Sequence, residues 1–465
     1  MHILRFNEAL RLAAETTKDE RLPVKWPVGV VRDIYGRLRF AVDAYKPRAI
    51  VEAGESEGDE DAAPEDQIYP EDAHKLLAEG TARLGAYGTS NQVLYRDDFS
   101  RPAALFEHPD WHETLVPAYE DADGVVHPEL TVRLLDRQII GQDWLRTGRE
   151  TRAAGAPPRL VFYGLKGGVG RSTALAMFAY LMARKGKRVL LLDFDLESPG
   201  LSGLLLPADR VAGFGLVDWF LEDAVHRDDT VLADLVADSP LAETTSGRIR
   251  VAAAMGMDES AYLAKLARVY ADVPTPNGPE RFAQRMARLV ATLEAREQPD
   301  IVLIDSRAGL HDLAAISIAT LADLALLFGT DSEQTWQGYA QLFAHWQQRP
   351  DVLRGVRERL WMVRAMFPET EQKERFQRFL ERSYDLFSDN LYDAIDPADA
   401  APDAAFSYAL DNDSAPHYPL TVRWNARFME FDPIASKNRG GVDDTDIELA
   451  FGPFAERVQS ILFGE

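Results

Sequence analysis

The residues most able to do chemistry lie together in Lys166-Gly-Gly-Val-Gly-Arg-Ser-Thr173, between the apolar run RLVFYGL and the helical pattern STALAMFAYLMARKGK. A Gly-rich turn from strand to helix aims backbone N–H groups and a helix N-terminus at one point. That arrangement binds anionic phosphate oxygens. Gly167, Gly168 and Gly170 allow dihedrals and a close backbone approach that side chains would block, and Val169 completes the turn. Ser172 stands where a loop hydroxyl ligates magnesium, and Thr173 can reach an α-phosphate. Arg171 keeps a positive charge beside that hydroxyl, and its planar fork can clamp phosphate oxygens.

Two further runs end in carboxylates. RVLLLDFD closes on Asp193 and Asp195, and DIVLIDSRAGL carries Asp305 with Gly309 four residues on. An apolar strand ending in D-x-x-x-G is the pattern in which the carboxylate holds a metal, usually through water, and the glycine amide approaches a γ-phosphate. Arg307 reads as a solvent-exposed residue of the same loop, and His311 as a hydrogen-bonding helix start.

These residues resemble the deviant Walker A box of the ParA/MinD-type ATPases, in the variant branch that carries a KGGVGR motif. The resemblance covers roughly residues 158–380. It implies bound ATP and Mg2+, and a nucleotide-sandwich homodimer in which Lys166 reaches across to the partner's phosphates. It also implies that Asp195 positions the attacking water, with Lys166, Arg171 and Asp195 as the catalytic set. The implied nucleotide contacts are Gly167, Gly168, Val169, Gly170, Arg171, Ser172 and Thr173, and the implied metal set is Ser172, Asp193 and Asp305. Arg171 replaces the family's second lysine, so hydrolysis is expected to be slow. The segment Asp331-Ser332-Glu333 resembles the one that seals the far wall of the site. Arg364 lies near the family's base-contacting asparagine and reads as a surface residue.

The elements that must position these groups follow from the pattern around them. Near-continuous apolar strands alternate with helices after residue 158, which predicts an α/β fold with a mostly parallel, doubly wound sheet. Three regions are expected. Residues 1–150 read as a smaller α+β domain that binds a protein partner, beginning with an amphipathic helix and a strand pair. Residues 151–388 read as the ATPase domain, and residues 389–465 as an acidic loop and C-terminal extension packing on it. Residues 51–67 read as an exposed acidic loop, because residues 51–66 hold eight acidic residues and no basic one.

Composition narrows the partners. The chain of 465 residues is 46% hydrophobic and carries a formal net charge of −24, which argues against nucleic acid and anionic lipid as charge-held partners. It contains no cysteine, which excludes disulfides, thiolate metal sites and thiol nucleophiles. The N-terminal segment reads as a surface helix, no run approaches the roughly 20 apolar residues of a membrane span, and the expected location is the cytoplasm. The last helix has an apolar face read as Leu449, Phe454, Val458, Ile461 and Leu462. Its charge is net negative, so packing against protein is expected over membrane binding. HPDWHE, with His108, Asp110, His112 and Glu113, has poor spacing for a metal site. Two function classes remain: an ATP-hydrolysing dimer switch, and a nucleotide sensor or adaptor with negligible turnover in a bacterial defence or signalling assembly.

Overall fold

A strand buried on both faces reads as a near-continuous apolar run, and a helix covering such a sheet needs one apolar stripe. The computed structural model describes residues 4–51, 64–89, 93–120, 124–146, 152–257, 261–276, 278–394, 405–428, 433–434 and 443–464. Most of the expected acidic loop 51–67, and part of the expected loop after residue 388, lie outside the described residues. The chain divides into two compact units, Met1–Gln142 with Gln347–Arg349, and Asp143–Trp346 with Pro350–Glu465.

The first unit is α+β. Strands β1 (Gly29–Arg32) and β2 (Leu38–Ala41) form an antiparallel hairpin. They join β3 (His112–Val116) and β4 (Leu130–Asp136) in the order β2-β1-β4-β3, with β1 and β4 parallel. Helices α1 (Phe6–Thr17) and α2 (Glu71–Arg83) place Ala9, Ala13, Ala73 and Leu77 in one core with Val30, Phe40, Val132 and Leu134.

The second unit is built on an eight-stranded sheet. Its strands are β5 (Arg159–Gly164), β6 (Arg188–Phe194), β7 (Ala237–Asp238), β8 (Arg248–Ala252), β9 (Ile301–Ser306), β10 (Leu324–Gly329), β11 (Leu360–Phe367) and β12 (Leu420–Arg423). Their order is β12-β11-β10-β5-β9-β6-β8-β7, parallel throughout except for the short edge strand β7. Every residue of β5, β9 and β10 is buried.

Alternate residues of one strand serve opposite faces. Leu160 and Phe162 pack with α3 (Arg171–Arg184) and α8 (Asp444–Phe463). Val161 and Tyr163 belong to the opposite layer, with α5 (Phe282–Glu297), α6 (Glu333–Gln347) and α7 (Gln372–Asn390). Helix α4 (Tyr262–Val269) precedes that layer. Trp144 is buried against Tyr163 and Trp346, whose indole N–H donates to the Trp144 carbonyl at 2.9 Å.

Helix α8 corrects the face expected for it. Leu449 is 56% exposed, while Ile447, Ala450, Phe451, Phe454 and Val458 are buried. At 100° per residue, position 449 lies on the far side from 447 and 451, so it cannot share their stripe.

Candidate functional site

The sheet order decides what meets at the carboxyl ends of the strands. β9 lies between β5 and β6, with Asp305 opposite Phe162 on one side and Asp193 on the other. The loop leaving β5 therefore faces the carboxylates leaving β9 and β6.

That loop is an open cradle. Gly168 and Gly170 both adopt φ of +76°, a left-handed conformation that a side chain disfavours. A Cβ placed on Gly167, Gly168 or Gly170 would meet no atom within 4 Å. Gly170 leads directly into α3, so the first turn of a 14-residue helix opens onto the cradle. Lys166 is exposed, Val169 is buried, and Ser172 and Thr173 are half-buried. Ser172 Oγ donates to Asp305 Oδ2 at 2.7 Å.

Arg171 takes a task the sequence did not suggest. Its guanidinium faces the acidic cluster, donating from Nε to Asp305 Oδ1 at 2.7 Å and from Nη2 to Asp195 Oδ2 at 2.8 Å. All three side chains are largely buried. Burial alone would lower the arginine's pKa; the charges of Asp305 and Asp195 outweigh it and raise the value. Burial pushes Asp195 above the usual carboxylate range despite Arg171. Nη1 of Arg171 is buried without a partner among the described residues.

Asp193 was expected in the metal shell, and the structure uses both its oxygens elsewhere. They accept the backbone N–H groups of Asp195 and Leu201, each at 3.2 Å, so Asp193 shapes the turn after β6. Complete burial, with the charge of Asp305 alongside, drives its pKa well above normal.

Gly309, at φ +84°, donates its N–H to the Gly164 carbonyl at 3.1 Å, and the Tyr163 hydroxyl donates to the Gly309 carbonyl at 3.1 Å. His311 caps the following helix, its Nδ1 accepting the Leu313 N–H at 3.2 Å. Arg307, read as solvent-exposed, is instead half-buried in an ion pair with Glu197. Arg364 is also corrected: it is buried at 5% exposure, 5.2 Å from the Phe379 ring centroid, because α7 closes over the end of β11. Asp331 is occupied by Trp336 Nε1 at 3.1 Å and by Arg378 at 2.6 Å. In HPDWHE, His108 and His112 are engaged by the Asp110 backbone, at 3.2 and 2.8 Å.

Oxygen donors on Ser172 and Asp305 beside an open glycine cradle suit magnesium. That ion takes oxygen ligands, keeps several waters and uses one or two carboxylates together with substrate phosphates. Comparison with known proteins gives the same location: residues 160–324 match the CobQ/CobB/MinD/ParA nucleotide binding domain. The matched residues, about a third of the chain, resemble that family.

The chain is 41% identical over 71 residues to the chromosome-partitioning ATPase Soj of Thermus thermophilus, covering 15% of this chain and 28% of that protein. It is 44% identical over 55 residues to a succinoglycan biosynthesis transport protein of Rhizobium meliloti, covering 12% of this chain and 7% of that one. The chain thus spans under a third of either curated relative. A ParA family ATPase from Chlorobium tepidum superposes with a TM-score of 0.41 at 13% identity, covering 65% of this chain and 98% of its own. Among the described residues no helix is long and apolar enough to cross a membrane.

Proposed function

We propose that the chain is an ATP-binding and ATP-hydrolysing switch that forms a nucleotide-sandwich homodimer and gates a protein partner through residues 1–150. The observation that carries this reading is the open glycine cradle beside the Ser172–Asp305 pair at 2.7 Å. Loop amides from Gly167 to Thr173 hold the phosphates, and Ser172 and Asp305 hold magnesium. Magnesium, when bound, neutralises charge on the phosphate oxygens. Lys166 is exposed and free of the sheet, as a side chain reaching a partner's nucleotide must be. Asp195 orients water once Arg171 releases it, and Arg171 then turns towards the phosphates. The reading places the protein in the cytoplasm. It assigns no membrane or nucleic-acid partner, in keeping with the net charge of −24.

One observation favours a second reading, a nucleotide sensor with negligible turnover. Arg171 binds both carboxylates on which hydrolysis depends. Phosphate release measured with magnesium–ATP and magnesium–GTP, alongside molar mass by light scattering, separates the two. The switch predicts ATP turnover, a doubled mass with ATP, and return to the smaller mass with ADP. Doubling without phosphate release selects the sensor. An unchanged mass in every nucleotide state contradicts the sandwich dimer.

A further inference from the structure

Beyond the two acids Asp195 and Asp305, the strand exits carry one pair of opposite charges. Glu197 follows Asp195 by two residues, and Arg307 follows Asp305 by two. Because β6 and β9 are parallel neighbours with Asp193 opposite Asp305, both pairs fall on the same side of the site. Arg307 Nη1 forms an ion pair with Glu197 Oε1. The same oxygen accepts the hydroxyl of Tyr270, at the end of α4, and lies 3.9 Å from His311 Nε2. Tyr262, at the start of α4, donates to the Leu196 carbonyl at 2.6 Å, fixing the backbone that carries Glu197.

One carboxylate oxygen thus gathers groups from both exits and from α4. The other, Oε2, is buried with no hydrogen-bond partner among the described residues. A buried acceptor left so in a cluster of fixed donors calls for an explanation beyond packing.

We propose that Glu197 is a positioning residue of the nucleotide site, tying the exit of β9 to the exit of β6 through Arg307. The tie makes the segment holding Asp195 and the segment holding Gly309 move as one. Anything that opens the Arg171–Asp195 contact is then felt at the Gly309 amide. Its effect on turnover rests on the hydrolysing reading above; the tie itself does not.

Amide hydrogen exchange on the full chain without nucleotide tests the tie, using Glu197→Gln and Arg307→Met. Glu197→Gln keeps the acceptor for Tyr270 and removes the charge that holds Arg307. Each variant is expected to speed exchange roughly fivefold in both segments, 195–201 and 306–312, with no further gain in the double variant. Exchange that rises only in the mutated segment overturns the tie. The consequence is read in steady-state kinetics, where Glu197→Gln lowers kcat about tenfold and leaves the KM for nucleotide within about twofold. Wild-type kcat in a variant with both segments loosened overturns the positioning role. Absence of wild-type turnover would instead defeat the hydrolysing reading, and the exchange result would still decide the tie.

Discussion

Arg171 stands between two carboxylates that would otherwise repel each other in a dry site. Removing one partner of a buried ion pair typically costs about 3–5 kcal/mol, because the charge left behind has lost both water and its counter-ion. Arg171→Leu is therefore expected to lose about that much stability at neutral pH. Without the guanidinium, Asp195 would titrate higher still than burial already sets it. A carboxyl whose folded pKa is raised destabilises the fold increasingly as pH rises past its unfolded value. The deficit should thus shrink as pH falls towards the carboxylate range, which urea unfolding at a series of pH values would show. A deficit independent of pH would mean that Arg171 acts through packing alone. Arg171→Lys keeps one point charge and cannot bridge both acids with a fork, so it is expected to release Asp195 and raise phosphate turnover.

At the scale of elements, the strands were legible because burial on both faces leaves little room for polar residues, and RLVFYGL, DIVLIDS and LALLFGT are largely apolar for that reason. The phosphate loop was legible because its glycines, cation and hydroxyl must occur in one order. Glu197 and Arg364 were not legible in their roles. Their partners, Tyr270 and Arg307 for one and Phe379 for the other, come from elements that only the fold brings near. Arg171 shows the same limit, since an arginine next to a loop hydroxyl reads as a phosphate ligand until Asp195 and Asp305 are seen on either side of it.

The helix start at His311 makes a pH prediction of its own. Burial and then the neighbouring Arg307 lower its pKa, outweighing Glu197 and Asp312, so the ring is held neutral and Nδ1 can accept the Leu313 N–H. A base with a lowered folded pKa gives full stability above its unfolded value, near 6.5. That contribution is lost as pH falls below it. A side-chain cap is worth about 1 kcal/mol. His311→Asn, which can cap without titrating, is expected to flatten the stability profile between pH 7 and 5 by about that amount. Chemical denaturation of both proteins at the two pH values checks this; parallel losses would show that His311 does not titrate against the cap.

For the whole molecule, the two units differ in what their surfaces can offer. The second places its chemistry at the carboxyl ends of a parallel sheet, the usual position for ligands in such folds. The first carries no comparable cradle among its described residues, and its part in the proposal is to meet a partner. The proposed function depends on the loop binding nucleotide, and Gly167 offers a clean way to ask. Unlike Gly168 and Gly170, it has no left-handed φ, and a Cβ there would meet no atom of the surrounding protein within 4 Å. Gly167→Val should therefore fold and melt like the wild type while filling the space meant for phosphate. Calorimetric titration with magnesium–ATP is the most direct measurement. One saturable site in the wild type, weakened at least about tenfold in Gly167→Val, a loss of about 1.4 kcal/mol, is the expected result. Equal affinity in the two proteins, or no binding by the wild type, would contradict the account.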